Sequence, residues 1–194
     1  MPDMFRIADI DFVATSARLK AGIDRNAFYD ESMMIWEAEM VWSIEIEATT
    51  NVPEFSEWIP HISGTLFITS PHEFDVWQGL APRSIDWIEP NDTDDVPSAV
   101  LYIFEHTPFF ECNAECYIED NQFRLRLSGR CDVYFDETYD EYLPIEIDLP
   151  LQFFGIWCGR EPEEECRGDL AQFLNNEDFD YVETEHGVSL LKPR

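Results

Sequence analysis

Lysine is almost missing from this chain. Lys20 and Lys192 are the two it has, and lysine and arginine together number 12 against 41 aspartates and glutamates. The formal charge of −29 argues against a basic surface that would hold nucleic acid by its phosphates or an anionic membrane by its headgroups. Long apolar runs are missing too. No stretch approaches about 18 uninterrupted apolar residues, so no membrane-spanning helix is expected. The opening residues, MPDMFRIADIDF, lack a positive segment followed by an apolar one. A secretory leader is therefore not expected, and the reading is a cytoplasmic protein. Glycine is sparse, with 8 residues. No phosphate loop, dinucleotide fingerprint or Gly-x-Ser-x-Gly elbow occurs, and no cofactor is expected.

The metal-ligating residue types are present without metal-ligating patterns. Cysteines 112, 116, 131, 158 and 166 make an odd set of five, which fits a reducing compartment. On a strand Cys112 and Cys116 stand about 13 Å apart, whereas a disulfide needs Cα atoms within about 7 Å. They read as two small core residues rather than zinc ligands. His61, His72, His106 and His186 are scattered, and no residue orients His106 toward Cys112 as a catalytic base. Asn91, Thr93 and Asp95 have the first spacings of a calcium loop. Val96 stands where that loop needs glycine and Tyr102 where it needs glutamate, so a solvated loop is expected. Arg167-Gly168-Asp169 falls in an expected helix and is read as chance. No metal site and no catalytic residue are assigned.

What is abundant is core material. Hydrophobic residues make up 45% of the 194, including 15 Phe, 7 Tyr and 6 Trp. That excludes disorder driven by low hydrophobicity and is enough for one acidic β-rich domain over residues 1–194. A fold of this mass exposes on the order of 9,500 Å². Evenly spread carboxylates would lie about 15 Å apart on it, beyond the roughly 8 Å Debye length at physiological salt. The charge is therefore tolerable without a partner, and consequential where it is concentrated.

The alternation of apolar and polar residues predicts strands. The chain is organised around Phe109 to Phe135, read as a hairpin turning at Asp120-Asn121. One face pairs Ile118 with Phe123, Cys116 with Leu125, Ala114 with Leu127 and Phe110 with Cys131. The other pairs Tyr117 with Arg124, Glu115 with Arg126 and Glu111 with Arg130. A slip of one residue would move every side chain to the wrong face. Phe5 to Thr15 predicts a first strand, and Ser16 to Asp30 is ambiguous because Gly22 weakens its helical spacing. Met34 to Glu47 alternates most clearly, with Trp36, Met40, Trp42, Ile44 and Ile46 on the core side. His61 to Thr69 predicts another strand, and Ala99 to Phe104 one covered on both faces. Pro144 to Phe153 alternates again, with Pro150 at an edge or bulge and the facing changing at Gly155. Pro162 to Asn175 predicts a helix, its acidic start at the positive end of the dipole. Phe179 to Val182 and Val188 to Leu191 predict a last hairpin through Gly187. The fold class is mainly β, an antiparallel sandwich or strongly curved sheet with one short C-terminal helix.

Function has to be read from the charge. Glu37, Glu39, Glu45 and Glu47 form an acidic ladder on the polar face of their strand, and Asp92, Asp94 and Asp95 an acidic loop. These are the candidate contacts for a basic protein partner. In size and composition the chain resembles bacterial toxin-immunity proteins and nucleic-acid mimics, although no motif carries a family assignment. The resemblance implies a non-enzymatic inhibitor that neutralises a toxin or a nucleic-acid-binding protein, with opposite charge steering encounter. The alternative is a carboxylate-based enzyme or carbohydrate-binding β-protein with a cleft lined by Trp. With 41 carboxylates, some pair falls at glycosidase spacing by accident, so pairs alone do not favour it. A high-salt cytoplasm would also yield acidic, Lys-poor chains. The wealth of Phe argues against it, since high salt already strengthens apolar burial.

Overall fold

The computed structural model describes residues 3–30, 35–51, 61–69, 76–81, 83–85, 100–102, 106–133, 140–184 and 186–194. The chain is mainly β and antiparallel, with one α-helix among the described residues. Its strands are β1 (Met4–Ile7), β2 (Ile10–Asp11), β3 (Val13–Asp30), β4 (Ile35–Thr49), β5 (His61–Thr69), β6 (Arg83–Ile85), β7 (Val100–Tyr102), β8 (His106–Glu119), β9 (Gln122–Cys131), β10 (Leu143–Trp157), β11 (Phe179–Glu183) and β12 (Ser189–Pro193), with α1 (Glu163–Leu170) before β11. Two compact units share them. The first holds residues 1–18, 44–66 and 81–152, and the second residues 19–43, 67–80 and 153–194.

In the first unit β8 and β9 form the expected hairpin. Glu119 and Gln122 flank a two-residue turn in which Asp120 and Asn121 have φ of 52° and 63°. These left-handed conformations match the twist of the flanking strands, and Asp and Asn tolerate them better than most residues. From that turn to Asn113 opposite Ser128 the register is as predicted, with Glu115 opposite Arg126 and Tyr117 opposite Arg124. Past Asn113 it slips by one: Phe110 faces Arg130 and Phe109 faces Cys131. The expected pairs Phe110–Cys131 and Glu111–Arg130 are therefore corrected. Glu111 and Cys112 together oppose Gly129, a bulge in which Glu111 takes φ of 48°. The bulge makes Phe109 the fully buried residue in place of Phe110. Only glycine fits opposite it. A Cβ at position 129 would collide with Cys112 Sγ and sit 3.0 Å from the Phe110 carbonyl oxygen.

β10 lies along β9, Ile147 opposite Leu127 and Leu149 opposite Leu125, and β1 pairs with the other side of β10 from Ile145 to Asp148. The interior row is then Phe5, Ile7, Ala114, Cys116, Leu125, Leu127, Ile145 and Ile147, all buried. Each fully buried large apolar side chain contributes roughly 1.5–3 kcal/mol. Ile118, assigned to the same face, is 43% exposed at the hairpin tip. The single first strand is also corrected. Ala8 at φ 52° turns the chain back so that β2 pairs with β1. β10 pairs with β9 and β1 and also neighbours β3 and β12 in the sheet, so Pro150 does not mark an edge strand. β7 is not covered on both faces: Leu101 is buried and Tyr102 exposed.

The second unit takes the ambiguous Ser16–Asp30 segment as strand from Leu19 onward. Trp42 is fully buried and packs 5.4 Å from Phe153, which meets Phe179 edge-on at 6.3 Å. At Gly155, φ 132°, the facing of β10 switches as expected, leaving Ile156 buried and Trp157 half exposed. The helix is shorter than predicted. Pro162 is its N-cap rather than a first-turn residue, and α1 stops at Leu170, with Phe173 and Leu174 still buried in the turns that follow. β11 and β12 form the last hairpin, with Gly187 at φ 70°.

Candidate functional site

The predicted acidic ladder lies on β4 but is not a free row of carboxylates. Glu39, Glu45 and Glu47 alternate with the buried Met40, Trp42, Ile44 and Ile46, and each is half-buried rather than exposed. Arg18 approaches Glu45 at 3.9 Å. Glu39 belongs to the second unit, while Glu45 and Glu47 belong to the first. Glu37 lies within β4, its side chain outside the described residues, and Asp92, Asp94 and Asp95 lie outside them altogether. Trp42 is core, which removes it as a sugar-stacking platform, and the side chain of Trp36 is not among those described.

The most organised polar cluster sits in the first unit, on the face of β8, β9 and β10 opposite the interior row. Its members are Tyr117, Arg124 and Asp148. Arg124 is 6% exposed and Asp148 5%, so two charges have been taken out of water. Their geometry compensates: Arg124 donates from Nη2 and Nε to Asp148 Oδ1 at 2.8 and 3.0 Å, and the Tyr117 hydroxyl donates to the same oxygen at 2.8 Å. Arg124 also donates to Asp3 Oδ1 from Nη1 and Nη2, each at 3.2 Å, and Glu119 lies 3.5 Å from its Nε. Arg126 reaches Asp148 Oδ2 at 3.4 Å and Glu115 at 3.8 Å, and lies 4.6 Å from the centre of the Tyr117 ring.

Burial pushes the Asp148 carboxyl up, but the hydrogen bonds from Arg124 and Tyr117 and the arginine charge outweigh it and hold it below the ordinary value. Burial and the hydrogen bond to Asp148 raise the Tyr117 phenol. Sequence reasoning paired Tyr117 with Arg124 but gave Asp148 no partner. The missing information was the third strand. Only when β10 lies beside β9, with Asp148 opposite Arg126 and Pro150 opposite Arg124, does the carboxylate reach the guanidinium. A carboxylate committed in this way is a structural anion, not a general base.

Among the described residues no group of three or more His, Cys, Asp or Glu is placed to hold a metal ion. All five cysteines are free thiols. Burial drives the Cys116 thiol up to about 12 and that of Cys131 higher still, which makes both poor nucleophiles. None of the described helices is long and apolar enough to cross a membrane. No protein-family model, curated protein or solved structure matches the chain.

The scarce positive charge is spent internally. Arg6 pairs with Asp11 at 2.6 Å, Arg130 with Glu111 at 3.2 Å, Arg167 with Glu163 at 2.8 Å and Arg194 with Asp180 at 2.8 Å. Arg18, Arg124 and Arg126 are paired as described above. Both lysines place Nζ 5.7 Å from the centre of the same ring, that of Phe154.

Proposed function

We propose that this protein is a non-enzymatic acidic binder that neutralises a basic protein partner. The observation that carries the reading is the internal use of positive charge. Seven of the ten arginines sit against the chain's own carboxylates, and both lysines lie over one ring. The excess of carboxylates therefore projects a negative field with little positive surface to oppose it. Such a field steers a basic partner to encounter at up to about 10⁸–10⁹ M⁻¹s⁻¹ at low salt. The proposed contacts remain Glu37, Glu39, Glu45 and Glu47 with Asp92, Asp94 and Asp95. Glu45 lies 3.9 Å from Arg18, which offsets part of its charge.

The test is stopped-flow association with a folded basic probe protein of pI above about 9, beside the same probe with its lysines acetylated. Association with the untreated probe should slow steeply with ionic strength, and acetylation should abolish that dependence. Replacing the four ladder glutamates by Gln, and separately the three loop aspartates by Asn, should slow association and flatten the salt slope. Equal rates and slopes for the native and substituted proteins would make ladder and loop ordinary solvated surface. Turnover of a small substrate without any salt-dependent protein association would overturn the binder reading.

A further inference from the structure

The β1–β10 ladder ends at the pair Met4–Asp148. Past it β10 continues as Leu149 and Pro150, and proline has no N–H to offer another strand. These two residues, with Asp3, Phe5, Phe12 and Val13, line a cleft of about 280 Å³ in the first unit. The volume is just below the roughly 300–1,000 Å³ range of small-molecule sites, so it suits one side chain better than a cofactor. The lining is mixed: Thr15 and Ser16 of β3 stand in it with Ala14 and Ala17, while Phe5 and Phe12 are buried and stack 5.0 Å apart. Asp3 stands in the lining as the carboxylate. Its Oδ1 takes both contacts from Arg124, which leaves Oδ2 without a partner among the described residues. The guanidinium does not cancel the local charge, because Asp3, Glu119 and Asp148 all surround it.

We infer that this cleft anchors a single arginine or lysine side chain of the partner. The aliphatic stem lies against Phe5, Phe12, Leu149 and Pro150, and the cationic head meets Asp3 Oδ2. Long basic side chains suit such a site because their stems are apolar and only their tips are charged. Arg124 is a positioning residue: it aims Asp3 from beneath while Asp148 and Tyr117 hold it in place. This inference rests on the proposed binding of a basic protein and names where one residue of that partner sits.

The test uses the full chain, isotopically labelled, with N-acetyl-arginine amide and N-acetyl-norleucine amide as NMR probes. The arginine amide should shift Phe5, Phe12, Val13 and Leu149, and the neutral amide should bind more weakly. Asp3→Asn should weaken the arginine amide about two- to fivefold, the range of a solvent-accessible ion pair. Val13 is 65% exposed, so Val13→Trp can close the cleft without entering the core and should remove those shifts. Glu164→Gln, an equal charge change on α1, should leave them unchanged. Equal affinity for the two amides, shifts that survive Val13→Trp, or no shifts in the cleft would overturn the inference. The basic probe protein separates the two proposals. Salt-dependent association unaltered by Val13→Trp removes the cleft and leaves the binder reading. Cleft shifts with the arginine amide but no protein association remove the binder reading, and with it the anchoring role.

Discussion

Removing one member of the Arg124–Asp148 pair strands the other. Both side chains are over nine-tenths buried, and breaking a buried ion pair from one side costs about 3–5 kcal/mol because the remaining charge has lost its compensation. Asp148→Ala is expected at the lower end, about 3 kcal/mol, because Asp3 and Glu119 still flank Arg124 at 3.2 and 3.5 Å. For 194 residues, an unfolding entropy of roughly 2.1 cal/mol/K per residue gives about 0.4 kcal/mol/K, so Tm should fall by about 7 °C. Arg124→Met should cost a similar amount. The double replacement Arg124→Met with Asp148→Leu should recover much of the loss, because well-packed apolar residues often serve as well as a buried ion pair. The Tyr117 hydroxyl, only half-buried, then turns to water. The assay is urea unfolding followed by far-UV circular dichroism, with amide exchange at Leu125 and Ile147 as a local readout. The single substitutions should couple by about 2 kcal/mol. Single costs below about 1 kcal/mol, or additivity within about 0.5 kcal/mol, would refute the claim that this pair is buried and mutually dependent.

The Asp148 carboxyl titrates below its ordinary value of 3.8, so its contribution is complete above that value and is lost as pH falls through the lower native one. The stability gap between the native protein and Asp148→Asn should therefore stay constant near neutrality and close in acid, as read by urea unfolding at a series of pH values. Gly129→Ala should destabilise by about 1–3 kcal/mol through bulge strain, and Cys112→Ala should relieve only part of that cost, because the Phe110 carbonyl remains 3.0 Å from the new Cβ. A thiol reagent should find Cys112 and Cys158 first and all five cysteines after denaturation without reductant, since Cys116, Cys131 and Cys166 are buried. Sodium chloride should raise Tm by screening the self-repulsion of a chain at −29. A Tm that falls with salt would mean that the internal ion pairs outweigh that repulsion.

The strands were legible wherever one face is buried and the other wet. β4, β10 and the tip of the β8–β9 hairpin show the expected alternation because period-two burial leaves few choices of register. The bulge was not legible, for a specific reason. Arg130 reaches Glu111 at 3.2 Å even though the two are not opposite, so matching charges across the strands could not distinguish the slipped register from the regular one. The sign that was available is Gly129, a glycine inside a strand where backbone approaches backbone. The Arg124–Asp148 pair was hidden because it depends on which strand lies beside β9, and alternation reports the face of a residue but not its neighbours. The half-buried state of Glu39, Glu45 and Glu47 was hidden likewise, since alternation assigns a polar face without saying how deeply it is covered.

The packing of both lysines over Phe154 has a practical consequence. Lysine chemistry on this protein has one address. On side-chain amines, dyes, crosslinkers and acylating enzymes that act on lysine can reach only Lys20 and Lys192, and both belong to the second unit. A lysine-directed tether would therefore hold each molecule by that unit and leave the lysines of the first unit out of account, because it has none. The same economy would confine any lysine-linked tag that a cell attaches for turnover to those two positions.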